Sequence, residues 1–222
     1  SCWTDSEEES IPLWKMYAGK EMHGIRISLD SDMFLKYHIP SGRFYGVDVY
    51  SKNEKSSILP IEKIVTKDYL VVPSFNDSEM FFKKVLYVDN PFSEMRDVVQ
   101  IQDMGNGEGA MKMNLKKIGL YKRKCWAFQK EHRFTLTILP NIWGDIDINQ
   151  MPKRIMQAVY DRIPPKLSFF DLEINPELLS KMKITLSPIC SEAEKVIVES
   201  IVQKFAPKAI IRESMLKGLI NR

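Results

Sequence analysis

The segment from residue 124 to residue 140 constrains the fold more than any other part of this chain, because it contains no glycine and reaches its first proline only at its end. Large side chains alternate with smaller or polar ones from Trp126 onward, and β-branched residues follow. This pattern predicts one long strand. Side chains on a strand alternate between its two faces, so we expect Gln129, Glu131 and Arg133 to share one face.

A carboxylate with hydrogen-bonding side chains two positions away on either side supports two interpretations. Glu131 belongs either to a catalytic site or to a salt-bridge ladder with Arg133 on an exposed sheet. The spacing alone leaves both interpretations open. His132 is expected on the opposite face, as a packing or surface residue. Trp126 is expected in the core, where its replacement by alanine would cost roughly 3–5 kcal/mol.

The bulk composition is that of an ordinary globular protein. Of the 222 residues, 44% are hydrophobic and 27% are charged, which permits a sizeable core. The net charge of +3 does not by itself indicate nucleic acid or an anionic membrane as a partner. The sequence contains no repeat and no low-complexity linker, so we predict a single domain over residues 1–222.

Cysteine usage and hydropathy bear on the location of the protein. Three widely spaced cysteines without a paired motif fit a reducing compartment, and we predict a cytoplasmic location; they are Cys2, Cys125 and Cys190. No apolar run is long enough to span a bilayer, so no membrane partner is expected. Residues 1–4 look like the middle of a strand, and we expect a further strand upstream of them.

The rest of the chain mixes short helices with strands throughout. Strands are predicted at residues 23–29, 43–50, 68–72, 82–88, 169–174, 183–186 and 209–212, and helices at residues 12–18, 33–38, 152–163 and 191–205. Inward-facing apolar side chains are expected at Leu13, Met16 and Tyr17 of the first helix and at Ile155, Val159 and Ile163 of the third.

The C-terminal part gives the clearest supersecondary signal. A strand, a helix opened by a capping box at Ser191 and Glu194, and a returning strand predict a βαβ unit. The predicted fold class is therefore α+β, a mixed α/β arrangement: a largely antiparallel central sheet with flanking helices and a C-terminal βαβ unit.

Several other segments are candidates for binding, each with a structural alternative. The glycine-rich residues 103–109 favour a mobile surface loop over a dinucleotide fingerprint, because they do not join a clear strand to a helix. The turn at residues 187–191 precedes a helix and could hold an anion, although packing is the more frequent role. Asp145 and Asp147 lack a third ligand at a supporting spacing, so no metal site is predicted.

A group of basic residues precedes the central segment. Such a group either forms a solvated face or binds phosphate groups, and the sequence leaves both roles open; its members are Lys116, Lys117, Lys122, Arg123 and Lys124.

Several segments together resemble one bacterial family. That family carries a Cys-aromatic-Ser/Thr strand, a Trp-x-x-Tyr-Ala helix, a Gly-containing strand, a Trp-x-Tyr-Glu-x-Glu-x-Arg signature and a C-terminal strand-turn-helix. The corresponding segments of this chain are residues 2–4, 13–18, 24–27, 126–133 and 184–191. The chain thus resembles the domain-of-unknown-function family 2971 over nearly its whole length, with Gln129 in place of the first Glu of the signature.

A more distant resemblance, to ADP-ribosyltransferases, implies a mechanism. In that group a strand with a Ser-Thr-Ser-like motif precedes a helix, and a later strand carries Glu/Gln-x-Glu. Residues 1–4 with the helix at 14–18 are similar to the first motif, and Gln129-x-Glu131 is similar to the second. The Arg or His of the group's first strand has no counterpart in this chain. The resemblance implies an ADP-ribosyltransferase-like fold and NAD as the substrate.

The same resemblance implies roles for individual residues. Glu131 would be the catalytic carboxylate that stabilises the oxocarbenium-like transition state as the nicotinamide–ribose bond breaks. Gln129 would be the second catalytic residue and would orient the nucleophile of a protein or nucleic-acid target. The implied cofactor-binding residues are Thr4, Trp14, Tyr17 and Arg133, with Trp14 or Tyr17 as the wall of the nicotinamide site.

Two functions follow from this sequence. The first is an NAD-dependent, ADP-ribosyltransferase-like bacterial effector, which analogy with other bacterial proteins places in toxin action or phage defence. The alternative is a non-catalytic nucleotide- or protein-binding module of a bacterial defence system, in which Glu131 and Arg133 only hold a sheet together.

Overall fold

The protein is described by a computed structural model that covers residues 1–39, 41–44, 47–49, 56–72, 76–105, 108–141 and 151–220. The chain forms two compact units, each built from two separated stretches. The first unit comprises Ser1–Asp5 and Lys36–Asp171, and the second comprises Ser6–Leu35 and Leu172–Arg222. The single domain predicted over residues 1–222 stays a prediction.

Helices and strands alternate along both units, so the predicted α+β class is confirmed. The strands are β1 (Cys2–Thr4), β2 (Ile25–Ser28), β3 (Tyr37–His38), β4 (Gly42–Phe44), β5 (Val47–Val49), β6 (Ser56–Ser57), β7 (Tyr69–Val71), β8 (Phe82–Lys84), β9 (Leu86–Val88), β10 (Val99–Gly105), β11 (Glu108–Met113), β12 (Tyr121–Arg123), β13 (Glu131–Phe134), β14 (Ile138–Pro140), β15 (Lys183–Leu186) and β16 (Ile210–Arg212). The helices are α1 (Ile11–Tyr17), α2 (Ile61–Ile64), α3 (Ser78–Phe81), α4 (Pro91–Glu94), α5 (Met151–Tyr160), α6 (Pro176–Leu179) and α7 (Glu192–Phe205), and a 3₁₀ helix spans Lys124–Gln129.

The described strands pair into small sheets of two or three strands rather than into one central sheet. In the first unit the strand orders are β1-β13-β8, β10-β11, β12-β9, β14-β7, β3-β6 and β4-β5, and in the second unit the order is β16-β15-β2. The pairing is largely antiparallel, as predicted, with parallel pairs only at β12–β9 and β15–β16 among the described strands.

The second unit contains the βαβ unit that the sequence predicts. Strands β15 and β16 pair in parallel, and α7 connects them. The Ser191 hydroxyl accepts from the Glu194 N–H while the Glu194 carboxylate accepts from the Ser191 N–H, which is the predicted capping box. The inner face of α7 contributes Val202 to a core that also contains Ile184 of β15. Local sequence signals suffice for this part of the fold.

The largest disagreement with the sequence prediction is the segment from residue 124 to residue 140. It forms a 3₁₀ helix and two separate strands, β13 and β14, instead of one long strand. Lys130 ends the 3₁₀ helix in the left-handed region, at φ 44°, and turns the chain into β13. The alternating aromatic residues Trp126 and Phe128 therefore lie on the 3₁₀ helix and are exposed, so the prediction of a buried Trp126 is wrong.

Other predicted elements differ more modestly. The predicted helix at residues 33–38 is absent, because Phe34 forms a bridge with Ile174 and Tyr37–His38 is the strand β3. Residues 169–173 form no strand. The predicted strands at residues 43–50 and 82–88 are each divided in two, and the glycine-rich segment contains parts of the β10–β11 hairpin.

The inner face predicted for the first helix, α1, is wrong at two of its three residues. In α1 the buried side chain is Trp14, whose indole N–H donates to Glu9 at 3.0 Å, whereas Tyr17 is 71% exposed and Met16 is exposed as well. Leu13 is half-buried, in keeping with its predicted inward direction. The hydrogen bond from Trp14 to Glu9 accompanies an orientation of α1 that the spacing of apolar residues alone does not predict.

The predicted inner face of the helix at residues 152–163 is also wrong in part. Among the α5 side chains that the structure describes, the buried one is Ala158, whereas Val159 is exposed, as is Ile163 beyond the end of the helix. Ile155 is half-buried.

Candidate functional site

The candidate site lies on one face of the three-stranded sheet β1-β13-β8 in the first unit. Antiparallel pairing sets Cys2 opposite Arg133 and Thr4 opposite Glu131, while Lys83 of β8 lies opposite Arg133 on the other side. Directly opposed residues in a sheet point to the same face. The strands therefore bring a thiol, a carboxylate, a guanidinium and an amino group together on one surface.

Glu131 is the centre of this group. Its side chain is 5% exposed, and its two oxygens accept from two cations: Arg133 Nε donates to Oε1 at 2.6 Å and Lys122 Nζ to Oε2 at 2.7 Å. Cys2, opposite Arg133 on the neighbouring strand, interacts with this carboxylate and helps to lower its pKa. The backbone N–H of Glu131 donates to the hydroxyl of Tyr87 at 2.8 Å. Each of the two oxygens of the buried carboxylate thus accepts a hydrogen bond from a cation.

These contacts decide the protonation state of Glu131. Burial raises the pKa of its carboxyl group, but the hydrogen bonds from Arg133 and Lys122, together with the interaction with Cys2, outweigh burial and lower that pKa to about 2. Glu131 is therefore a carboxylate at neutral pH. With such a low pKa it is a weak general base, and its negative charge is already balanced by the two cations.

Gln129 joins the group by a route that strand alternation does not describe. It is the last residue of the 3₁₀ helix, it is buried, and its side-chain oxygen accepts from Lys122 Nζ. Lys122 thus bridges Gln129 and Glu131. The prediction that these two residues lie together is correct, but the reason is a shared lysine on β12 and not the alternation of one strand.

Two cations also hold the turn that precedes β12. The buried Lys83 donates from Nζ to the carbonyl oxygens of Leu115 at 2.7 Å and Ile118 at 2.8 Å, and Arg133 Nη1 donates to the Gly119 carbonyl at 2.8 Å. Gly119 adopts φ 70°, which favours glycine at this point of the turn. Burial lowers the pKa of Lys83. Arg133 therefore connects Glu131 to the backbone of this turn.

Next to this buried group lies an exposed pair of aromatic rings. Trp126 is 38% exposed and Phe128 is 42% exposed, with ring centroids 6.1 Å apart and the planes tilted by 37°. Lys122 Nζ lies 5.3 Å from the centroid of the Trp126 ring, within the range of a cation–π contact. We define the aromatic–basic surface as these two rings together with the exposed residues Arg123, Lys124 and Lys130.

The basic residues at 116–124 have different surroundings. Lys116 pairs with Glu79 at 2.8 Å, Lys117 with Asp97 at 2.7 Å and Lys124 with Asp89 at 2.7 Å, whereas Lys122 is the cation of the buried group. Most of these contacts describe a solvated face with ion pairs. The binding of phosphate groups by these residues stays a prediction.

The residues predicted to bind NAD are divided between the two units. Thr4 lies opposite Glu131 on β1 and is exposed, and Arg133 contacts Glu131 directly. Trp14 and Tyr17 belong to the second unit, so their role as the wall of a nicotinamide site with Glu131 stays a prediction. Sequence reasoning missed Lys122, Cys2 and Tyr87 as contacts of Glu131, because no local pattern predicts which strands pair.

No protein-family model, curated protein or solved structure matches this chain. The resemblances to the domain-of-unknown-function family 2971 and to ADP-ribosyltransferases therefore stay predictions.

Two further properties were predicted from the sequence. Among the described residues, no three His, Cys, Asp or Glu side chains are grouped so that they could hold a metal ion, and Asp145 and Asp147 lie outside these residues. None of the helices in the described ranges is both long and apolar enough to cross a membrane. At the turn of residues 187–191 the Ser191 N–H donates to the Glu194 carboxylate, and anion binding there stays a prediction.

Proposed function

We propose that this protein is a non-catalytic nucleotide-binding module, in which the group around Glu131 is a rigid support and the aromatic–basic surface is the binding site. The observation that carries the proposal is the exposed pair Trp126 and Phe128 on a short 3₁₀ helix, with Lys122 Nζ 5.3 Å from the centroid of the Trp126 ring.

The support role follows from the contacts of Glu131. The Glu131 carboxylate is 5% exposed and already accepts hydrogen bonds from Lys122 and Arg133, so a ribose hydroxyl has little access to its oxygens. Removing one partner of a buried ion pair is costly, because the other charge is left buried. The same contacts fix Gln129 and thereby the end of the 3₁₀ helix that carries the two rings.

The binding role follows from the chemistry of the surface. Exposed aromatic rings stack on nucleobases, and stacking contributes about 1–3 kcal/mol per base. Arg123, Lys124 and Lys130 flank the rings along the chain and supply positive charge for phosphate groups. A large exposed aromatic side chain next to cations is thus better suited to a nucleotide than to an uncharged apolar partner.

Calorimetric titration with AMP, with NAD and with a short single-stranded oligonucleotide tests this proposal. Binding should weaken as salt is raised, because phosphate contacts release counterions. Trp126→Ala should weaken binding by about tenfold or more, which corresponds to the loss of one stacked base. The control is Phe92→Ala, which removes an exposed ring on α4 that is not part of the aromatic–basic surface. Equal binding by wild type and Trp126→Ala would overturn the proposal.

A second candidate function is the NAD-dependent transfer of ADP-ribose. It is favoured by one specific observation: β1 pairs with β13, which sets Thr4 opposite Glu131. The resemblance to ADP-ribosyltransferases implies this proximity of the two motifs. In this mechanism Glu131 would stabilise the oxocarbenium-like state and Gln129 would orient the nucleophile of the target.

The two candidates differ in turnover. Incubation with labelled NAD and cell lysate, followed by measurement of nicotinamide release and label transfer, detects the transferase. Turnover that disappears in Glu131→Gln but survives in Trp126→Ala would favour the transferase over the binding module. Absence of turnover together with salt-dependent binding of nucleotides would favour the module.

A further inference from the structure

Helix α7 of the second unit has apolar side chains on two of its sides. The inner side places Val198, Val202 and Ala206 against the core. A second stripe, formed by Ile197, Ile201 and Phe205 at spacings of four residues, is exposed. A helix that is apolar on more sides than its own fold covers is expected to be covered by something else.

Strand β2 exposes apolar side chains on the same side of its sheet. Ile27 lies opposite Ile184 and Ile25 lies opposite Leu186 in the antiparallel pair with β15. Opposed residues share a face, so Ile25 and Ile27 point toward the side on which α7 packs. Both are exposed, whereas Ile184 and Leu186 are buried. Helix α7 therefore covers β15 but leaves the apolar face of β2 open.

The stripe on α7 lies on the side of the helix that is nearer β2. His23 lies two residues before β2, and its Nδ1 is 2.5 Å from the Glu194 carboxylate of α7. Glu194 precedes Ile201 by seven residues, about two turns, so the two side chains lie on one side of the helix. The exposed stripe is thus on the side of α7 that is nearer the open strand, and we define the α7–β2 face by Ile25, Ile27, Ile197, Ile201 and Phe205.

We propose that the α7–β2 face binds a second copy of this chain in an antiparallel, two-fold symmetric pairing of α7 with α7. Each copy supplies both an open apolar strand and a helix with a spare apolar stripe, so the face is self-complementary, as an isologous interface requires. With the two-fold axis at Ile201, Ile197 of each copy contacts Phe205 of the other.

The charges of α7 favour the antiparallel orientation. Glu194 lies at the N-terminal end of the stripe, and Lys204 and Lys208 lie at its C-terminal end. Antiparallel pairing sets the acidic end of each helix beside the basic end of the other, whereas parallel pairing would set like charges side by side. Opposite charges across an interface select orientation and partner.

Sedimentation of the full chain over a wide range of protein concentration tests the proposal. The wild type should dimerise, and Ile201→Asp should raise the dissociation constant of the dimer by about 100-fold, because it places two carboxylates at the centre of an apolar contact. The matched control is Val196→Asp. Val196 is exposed to a similar extent on the same helix but lies five residues earlier, on a different side. The dissociation constant of the Val196→Asp dimer should equal that of the wild type.

Disulfide trapping tests the symmetry. In a background with Cys2, Cys125 and Cys190 replaced by serine, Ile201→Cys should form a disulfide-linked dimer on mild oxidation, because residues on the two-fold axis face each other. Val196→Cys should not. A wild type that stays monomeric at every concentration overturns the proposal and leaves the face to a different partner. A dimer that persists in Ile201→Asp overturns it as well, since another surface then holds the copies together.

Discussion

Arg133 Nε donates to Glu131 Oε1 at 2.6 Å from two residues further along the same strand, on the face of β13 that also carries the contact with Cys2. Each member of this pair also contacts a further part of the first unit. Arg133 also holds the carbonyl of Gly119, and Glu131 also holds Lys122. The pair therefore joins the sheet to the turn before β12 and to the 3₁₀ helix after it.

Replacing Glu131 by glutamine should destabilise the first unit. The amide keeps the shape of the side chain but leaves Lys122 and Arg133 without their counter-charge, at a cost of roughly 2–4 kcal/mol in the free energy of unfolding. Chemical denaturation measures this difference. The matched control is Glu79→Gln, whose exposed ion pair with Lys116 should contribute less than about 1 kcal/mol. Equal, small losses in both variants would contradict a supporting role for Glu131.

The contribution of Glu131 to stability should depend on pH in the acid range. Its pKa is lowered from 4.5 to about 2 in the folded protein, so the folded state binds fewer protons than the unfolded state between these values. The stabilisation is therefore fully present above about pH 5 and is lost as the pH falls through 4.5 toward 2.

Unfolding of wild type and Glu131→Gln, measured from pH 7 down to pH 2.5, checks this prediction. The difference in free energy of unfolding should shrink by roughly 2.5 kcal/mol between pH 7 and pH 2.5, because the carboxyl group of the unfolded state, with a pKa of 4.5, becomes protonated within this range. Glu194 also has a pKa lowered to about 2, but it is present in both proteins and its effect cancels. A difference that is constant with pH would contradict the low pKa of Glu131.

Trp126→Ala should leave the fold largely intact. The ring is 38% exposed on the 3₁₀ helix, so its removal should cost about 1 kcal/mol rather than the 3–5 kcal/mol of a fully buried aromatic residue. Phe134→Ala provides the contrast, because Phe134 is buried and its ring contacts Phe81 and Phe82. Thermal melts of the two variants should differ clearly, and a similar large loss in both would mean that Trp126 is part of the core.

Alanine substitution should lower the free energy of unfolding at Ser191, the N-cap of α7, but not at Ser200 within the helix. Ser191→Ala removes the cap that accepts from the Glu194 N–H and should cost about 1 kcal/mol. Ser200→Ala removes only a bond to the Val196 carbonyl within the helix, and alanine is the better helix former there. It should be neutral or slightly stabilising. Denaturation curves of both variants compare the two sites, and equal destabilisation would contradict the capping box.

Sequence reasoning worked where the determining contacts are local. The capping box of Ser191 and Glu194 and the alternating strand β15 lie within a few residues of one another, so the βαβ unit follows from the sequence. The contact of Glu131 with Arg133 follows for the same reason, because both lie on one short strand.

It failed where partners distant along the chain decide the structure. The alternation of Trp126 and Phe128 suggests a strand, but the bond from Lys122 to the buried Gln129 accompanies a 3₁₀ helix that exposes both rings. The inner side of α1 is set by Trp14 and Glu9, and Glu9 in turn accepts from Ser214. No local pattern reports such contacts.

The bond from the Met215 N–H to the Glu9 carboxylate joins residues 206 positions apart. The second unit is thus assembled from both ends of the chain, and α1 and β2 have to wait for β15 and α7 to be synthesised. Structures that depend on such distant contacts fold slowly, because a long loop must close before any contact is gained. Until those contacts form, the early segment is exposed to premature association.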